Sequence, residues 1–170
     1  MLSHPHAGEY APFYQRYVDL VPDGDFATVM TSPHPALLGR LRAAASRSAH
    51  RYAEGKWTLA EVVQHLCDTE RVFAYRLLCF ARGQVEPLPG FDENAWGPAS
   101  QANGRDYGGL VDEFALVRRS TVSLVAGLPA SVWTNGGVMS GGPATARAMP
   151  YLMAGHERHH DAILRERYGV

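Results

Sequence analysis

Three of the eight histidines lie within five residues of one another, as His156, His159 and His160. If this stretch is helical, His156 and His160 are one turn apart on the same face, whereas His159 points about 60° to one side. Two imidazoles at this spacing can bind one metal ion, and burying them without a metal would leave each in need of a hydrogen-bond partner. The spacing therefore predicts a metal-binding pair, with His159 as a surface residue or a neighbour of the ligands.

The same residues match the pattern HExxH, in which the glutamate, here Glu157, acts as the general base of a zinc protease. Such a site needs a third ligand, which usually lies downstream. Only ten residues follow His160, and their carboxylates, Asp161 and Glu166, lie on the same helix and cannot reach round the metal. A protease of this kind is therefore not expected, and Glu157 is interpreted as a solvated helix residue.

A third ligand must then come from upstream, and His65 is the candidate. Residues 58–82 contain no Gly or Pro and carry apolar side chains at helical spacing, and His65 falls within that apolar arc. A lone inward histidine is more often a hydrogen-bonded core residue, but His156 and His160 supply a reason for it to bind metal. The predicted ligand set is His65, His156 and His160, holding zinc or nickel, with iron or manganese as alternatives. Three ligands leave open positions where a water or substrate can bind and be acidified.

Three further residues are predicted to act beside this metal as catalytic-site residues. Asp68 is one turn beyond His65 and could orient an imidazole or a bound water, or could equally be a surface carboxylate. Arg76 lies near His65 in helical projection, and a buried Arg needs an acidic partner. The predicted partner is Asp92, and this pair would hold the loop around it over the end of the bundle.

Helical periodicity predicts four long helices after a short N-terminal helical segment in residues 8–20. Their expected extents are 36–53, 58–82, 110–127 and 144–168, where the last helix could begin at Pro150. The 27 residues from Gly83 are rich in Pro, Gly and Asn and are predicted to form a long loop, packed down by Phe91 and Trp96. In this loop, Asn94 and Trp96 could line a pocket, although packing is the preferred role for Trp96. Asn135-Gly136 could turn a small hairpin. The predicted fold is all-α, an up-down-up-down four-helix bundle forming one domain over residues 1–170.

Composition excludes several classes of protein. The net charge is −1 and no basic block occurs, which argues against nucleic acid or an anionic membrane as the main partner. No signal peptide and no apolar stretch of 18 residues is found. Cys67 and Cys79 would lie about 18 Å apart along one helix, too far for a disulfide, and two unpaired thiols favour the cytoplasm. Each is interpreted as a buried small side chain rather than a catalytic one.

Three motifs together resemble a known family. They are WTxxEVVQHLxDxER from Trp57, LPGFDENAW from Leu88, and GHERHH in the last predicted helix. The chain resembles the DinB-like superfamily of four-helix-bundle metalloproteins, which includes the YfiT group of thiol transferases. The resemblance covers roughly residues 10–168. It implies a divalent metal on His65, His156 and His160, frequent homodimers, and transfer of a low-molecular-weight thiol such as bacillithiol or mycothiol.

The predicted function is metal-dependent transfer of such a thiol to an electrophilic small molecule, in which the metal lowers the pKa of the thiol. Two alternatives stay open. One is a metal-dependent hydrolase that uses a metal-bound hydroxide. The other is a stress-induced protein that binds a metal or small ligand without catalysis.

Overall fold

The computed structural model describes residues 3–24 and 26–170. The helices are α1 (Gln15–Val18), α2 (Phe26–Thr31), α3 (His34–Ala43), α4 (Leu59–Ala81), α5 (Glu93–Ala99), α6 (Tyr107–Ala126) and α7 (Ala148–Ile163). A π-helical turn, Leu164–Tyr168, extends α7, and short 3-10 turns cover Pro12–Tyr14, Ala45–Arg47, Ala102–Gly104 and Ala130–Val132. Strands β1 (Gly136–Met139) and β2 (Gly142–Thr145) form an antiparallel hairpin between α6 and α7.

The helices form a four-helix bundle, as predicted. The central helix α4 packs against both α6 and α7, α3 packs against α6, and α2 contacts α6 and α7. Two apolar clusters fill the interior, one around Phe80 and Met149 and the other around Leu66 and Phe114. The predicted small hairpin between the last two long helices is also present.

The start of α4 is fixed by the capping box that the sequence indicates. The Thr58 hydroxyl accepts a hydrogen bond from the backbone N–H of Glu61, and the Glu61 carboxylate accepts one from the backbone N–H of Thr58. These two bonds satisfy N–H groups that a helix start would otherwise leave unpaired. Arg82 caps the other end, and Gly83 follows with a φ of 80°. The helix that carries His65 therefore has defined ends.

The helix predicted over residues 36–53 is wrong beyond Ala43. The chain instead turns so that backbone carbonyls of the following segment reach the first turn of α4. The carbonyl of His50 accepts from the N–H of Leu59, and that of Ser48 accepts from the N–H of Ala60. This tertiary pairing outweighs the helical propensity of an Ala-rich stretch, which is only a weak preference.

Two further boundaries differ from prediction. The hairpin turns at Ser140-Gly141, whose φ values are 49° and 80°, rather than at Asn135-Gly136. Both values match the left-handed conformation that a two-residue hairpin turn requires. Part of the predicted long loop forms α5, and α7 starts at Ala148, two residues before Pro150.

In residues 3–24 and 26–170 no helix combines the length and apolar character needed to cross a membrane. Cys67 and Cys79 are both buried and free, as expected for two cysteines on one helix. Burial raises the pKa of the Cys67 thiol to about 12, which keeps it protonated and poorly nucleophilic.

Candidate metal centre

The central helix and the last helix bring three histidines together. His65 comes from α4, and His156 and His160 come from α7. Each offers a ring nitrogen, and these three atoms all lie within 4.8 Å of one another. Nε2 of His65 lies 3.0 Å from Nε2 of His156. The three residues that the sequence predicts as ligands therefore meet at one point.

This geometry fits a divalent metal. Two nitrogens bound at about 2.0–2.1 Å, at angles between octahedral and tetrahedral, lie roughly 2.9–3.4 Å apart, and the 3.0 Å between the His65 and His156 nitrogens falls in that range. Nδ1 of His160 is buried and has no hydrogen-bond partner among the residues that the structure describes. A buried polar atom without a protein partner is rare, and binding a metal would satisfy such an atom.

All three imidazoles are in the protonation state that metal binding needs. Burial lowers the pKa of His65 to about 4. Burial, followed by the charges of neighbouring histidines, also places the pKa values of His156 and His160 well below their usual range. Their rings are therefore neutral near pH 7, with lone pairs free to coordinate.

Thr69, rather than Asp68, contacts the outer nitrogen of His65. Thr69 Oγ1 lies 3.3 Å from His65 Nδ1, one helical turn away. Asp68 instead accepts a hydrogen bond of 2.8 Å from the side chain of Gln64 and lies 3.6 Å from Arg71. Both contacts of the Asp68 carboxylate are with other residues of α4. The contact between Asp68 and His65 that the sequence suggested is therefore not formed in the described part of the chain.

A cavity of about 460 Å³ opens beside the histidines, a size typical of sites for small molecules. Six aromatic residues contribute to its wall: Phe13, Tyr14, Tyr17, Trp57, Phe73 and Phe91. Asn94 lines it, in line with its suggested role. Trp96 does not line it but packs on Phe91, with ring centroids 4.7 Å apart, which is the packing role preferred for it, although 44% of Trp96 is exposed.

His159 also lines this cavity, so it is more than a surface residue. Its ring lies 5.4 Å from that of Tyr17 and 5.2 Å from that of His160. Burial lowers the pKa of His159, and the positive charge of Arg16 lowers it further. A neutral imidazole therefore faces the cavity next to the three candidate ligands.

The N-terminal helix reaches the site because α7 carries a glycine where the two helices meet. A Cβ on Gly155 would overlap the backbone carbonyl of Tyr17. Without it, α1 lies directly on α7, and the Tyr17 ring stands edge-on to the ring of His156 at 5.5 Å. Because Gly155 directly precedes His156, the close contact at this glycine places the ring of Tyr17 against a candidate ligand.

The predicted ion pair between Arg76 and Asp92 is not formed, although both residues are described. Arg76 is buried and donates hydrogen bonds to the carbonyl of Pro89, at 2.7 Å, and to the hydroxyl of Ser140, at 3.0 Å. Asp92 is exposed and caps α5, accepting from the backbone N–H groups of Asn94 and Ala95. Arg76 does fasten the loop before α5, but through a backbone carbonyl instead of a carboxylate.

Glu157 is 1% exposed, so the prediction of a solvated residue is wrong. Its Oε2 lies 2.8 Å from Nη2 of Arg118 and 2.9 Å from Nδ1 of His34. The same guanidinium also binds Glu70 through two nitrogens. Glu157 is engaged with α3 and α6, so it does not serve as a base at the histidine site.

Fold and site together define a four-helix bundle with three converging histidines beside an aromatic cavity. The sequence model of the DinB superfamily matches residues 35–164. The chain belongs to this superfamily, as its motifs predicted.

A solved structure with a similar fold is that of YfiT from Bacillus subtilis, described as a probable metal-dependent hydrolase with an unusual four-helix bundle topology. The TM-score is 0.68 at 20% sequence identity, over 98% of this chain and 94% of YfiT. Comparison with curated proteins gave no match.

Proposed function

We propose that this protein is an enzyme that holds a divalent metal on His65, His156 and His160 and acts on a small molecule in the adjoining cavity. The observation that carries the proposal is the convergence of three neutral imidazoles on the wall of a cavity of about 460 Å³. A metal held this way acts as a Lewis acid and lowers the pKa of the group that binds it. We expect zinc or nickel in this site.

The chain's own residues bind and orient the substrate. Tyr17 and Phe73 offer apolar surface next to His156, with ring centroids 5.5 Å and 6.4 Å from its ring. Such walls exclude water, which strengthens electrostatic interactions in the site. Thr69 restrains the ring of His65 from behind. Hydrogen bonds of this kind fix the orientation of metal-binding imidazoles.

The reaction that we propose is transfer of a low-molecular-weight thiol of the bacillithiol or mycothiol type to an electrophilic substrate. Neutral ligands leave the charge of a divalent metal uncompensated, which favours a thiolate over a neutral thiol. The two cysteines of the chain are buried, so the thiol would be supplied by the co-substrate. The choice of thiol transfer follows from the resemblance to the DinB-like superfamily and its YfiT group of thiol transferases, whereas the family match itself supports a metal-dependent enzyme. We also propose, from the same family resemblance, that the protein is a cytoplasmic homodimer.

Hydrolysis is the second candidate reaction. The observation in its favour is the likeness to YfiT, which is described as a probable metal-dependent hydrolase. Neutral His159, on the cavity wall, could accept a proton in either reaction.

An activity comparison separates these proposals. Protein purified without an affinity tag and loaded with zinc or nickel would be assayed with cellular thiols plus a chloronitrobenzene electrophile, and in parallel with a panel of esters and amides. We expect thiol conjugation that is lost on metal removal. Metal-dependent cleavage of esters or amides, without conjugation, would favour hydrolysis. Metal-loaded protein that turns over neither set would contradict the enzyme proposal and favour a binding protein.

A further inference from the structure

We propose that Arg16 binds a carboxylate of the substrate, so that the cavity selects small organic acids with an apolar body. This inference rests on the proposed function, because it names the chemical class of the molecule that the cavity would hold. The carboxylate would lie at the end of the substrate that faces away from the three histidines.

The guanidinium of Arg16 is available to a ligand. Arg16 lines the cavity, and it makes no ion pair within residues 3–24 and 26–170. Its one hydrogen bond is long, 3.4 Å from Nη2 to the hydroxyl of Tyr17. A guanidinium carries five N–H donors in a planar fork, so most of them remain unused.

Aromatic rings hold this guanidinium in place. Its central carbon lies 3.8 Å from the ring centroid of Phe13 and 5.0 Å from that of Tyr17. Cation–π contacts of this kind attract a guanidinium to a ring even near the surface, so they favour this orientation of Arg16. A pre-oriented donor loses less conformational entropy when it binds a ligand.

The position of Tyr17 relates Arg16 to the candidate metal centre. One ring contact of Tyr17 is with Arg16, and another, at 5.5 Å, is with His156. A molecule lying along this ring would therefore have one end near the guanidinium and the other near the histidines. The rings of Phe73 and Phe91 complete the wall along which an apolar body would lie.

The charges around the cavity favour a carboxylate over a phosphate. The planar fork of Arg matches a carboxylate or a phosphate in a bidentate manner, so the neighbouring charges decide between the two. Glu93 also lines the cavity and forms no ion pair with Arg16, both being described residues. The carboxylate of Glu93 would repel a doubly charged phosphate more strongly than a singly charged acid.

The N-terminal residues of this wall lie outside the part of the chain that the superfamily model matches. Phe13, Arg16 and Tyr17 precede residue 35, whereas the three histidines fall within residues 35–164. The N-terminal segment thus adds a wall with its own charge to a bundle shared with the superfamily.

Calorimetric titration of the metal-loaded full-length protein tests the proposal. The probes are phenylacetate and hydrocinnamate, each paired with its neutral amide, which has nearly the same shape. In the wild type at least one acid should bind about 5- to 10-fold more tightly than its amide, as expected for a charged hydrogen bond that is partly screened by solvent. In Arg16→Gln this preference should disappear, with metal content unchanged.

Two variants serve as controls. Arg119→Gln removes the same charge from an exposed position on α6 and should keep the preference for the acid. Glu93→Gln removes the repelling carboxylate and should strengthen acid binding.

Three results would overturn the proposal: no preference for either acid in the wild type, a preference that survives in Arg16→Gln, or an equal loss in Arg119→Gln. Repeating the titration after metal removal tests the role of Arg16 separately from the proposed metal-dependent function. A preference that survives in Arg16→Gln but vanishes without metal would assign the carboxylate to the metal and leave the proposed function standing. A preference that depends on Arg16 in a protein that binds no metal would support this inference and contradict the proposed function.

Discussion

Nε2 of His65 lies 3.0 Å from Nε2 of His156, although 91 positions separate the two residues in the chain. The distance depends on how α4 and α7 are held against each other, because each helix supplies only part of the site. Contacts that fix these helices, far from the cavity, therefore matter as much as the ligands.

Among the contacts that fix these helices, those of Arg118 should be the most sensitive to substitution. Arg118 is 2% exposed and pairs with both Glu70 on α4 and Glu157 on α7. Although burial lowers the pKa of Arg118, the charges of Glu70 and Glu157 raise it above its usual value. Arg118→Leu should therefore reduce the free energy of unfolding by about 3–5 kcal/mol, because two buried carboxylates lose their counter-charge. Urea denaturation measures this loss.

The neighbouring residue provides a matched control. Arg119→Leu removes the same type of side chain from an exposed position and should change stability by about 0.5 kcal/mol or less. Similar losses in the two variants would show that the pairing of Arg118 does not hold the helices together.

Gly155→Ala should weaken ligand binding in the cavity without affecting the metal centre. The added methyl would overlap the carbonyl of Tyr17 and push α1 away from α7. We expect a loss of stability of about 1–3 kcal/mol and weaker binding of cavity ligands, while metal content stays near wild type. Gly39→Ala is the control, since a Cβ there meets nothing within 4 Å and should be neutral or slightly stabilising. Ligand binding that is unchanged in Gly155→Ala would mean that α1 is not a necessary wall.

The sequence predicted the histidine site because its information is local and periodic. The spacing of His156 and His160 indicates a ligand pair, and the place of His65 on an apolar face indicates that it points inward. The HExxH pattern does not indicate that Glu157 is buried with Glu70 in a pairing with Arg118. A signal was present nonetheless: Glu70 lies four residues after Leu66 and three before Phe73, on the apolar face of α4. A charge at such a position needs a buried partner.

Other features could not be predicted because they depend on which backbone groups meet in three dimensions. One partner of Arg76 is the carbonyl of Pro89, and every residue type offers a carbonyl. The end of α3 at Ala43 likewise depends on α4 lying close enough to pair with the carbonyls of Ser48 and His50. The cavity wall from α1 needed the contact at Gly155, which no local pattern reveals.

The loop before α5 should loosen when Arg76 is replaced. Arg76→Leu removes the hydrogen bonds to Pro89 and Ser140, so backbone amides in residues 84–91 should exchange with deuterium faster. Asp92→Asn should have little effect there, since Asn also caps helices and Asp92 does not bind Arg76. Faster exchange in Asp92→Asn than in Arg76→Leu would contradict this assignment.

Stability without metal should depend on pH through the buried histidines. In the unfolded chain they titrate near 6.5, about the usual value, whereas burial lowers the pKa of folded His65 to about 4 and those of His156 and His160 as well. As the pH falls below about 6.5, the unfolded state takes up protons that the folded state does not, so the free energy of unfolding of the metal-free protein should fall. The contribution of His65 should level off near its folded pKa.

Denaturation at several pH values measures this effect. His65→Leu should show a shallower decline than the wild type, and metal-loaded protein should keep its stability to lower pH because protons must displace the ion. A metal-free protein whose stability is constant between pH 7 and pH 5 would show that the histidines are not buried in the neutral form.

The central claim is that His65, His156 and His160 hold a divalent metal, and metal content per chain tests it most directly. Elemental analysis would compare untagged wild type with His65→Ala, His156→Ala, His160→Ala and the control His159→Ala. We expect close to one zinc or nickel ion per chain in the wild type and in His159→Ala, and a strong loss in each of the other three variants. Wild-type protein that retains no metal when dialysed against micromolar zinc or nickel, or equal losses in His159→Ala and His65→Ala, would contradict the account.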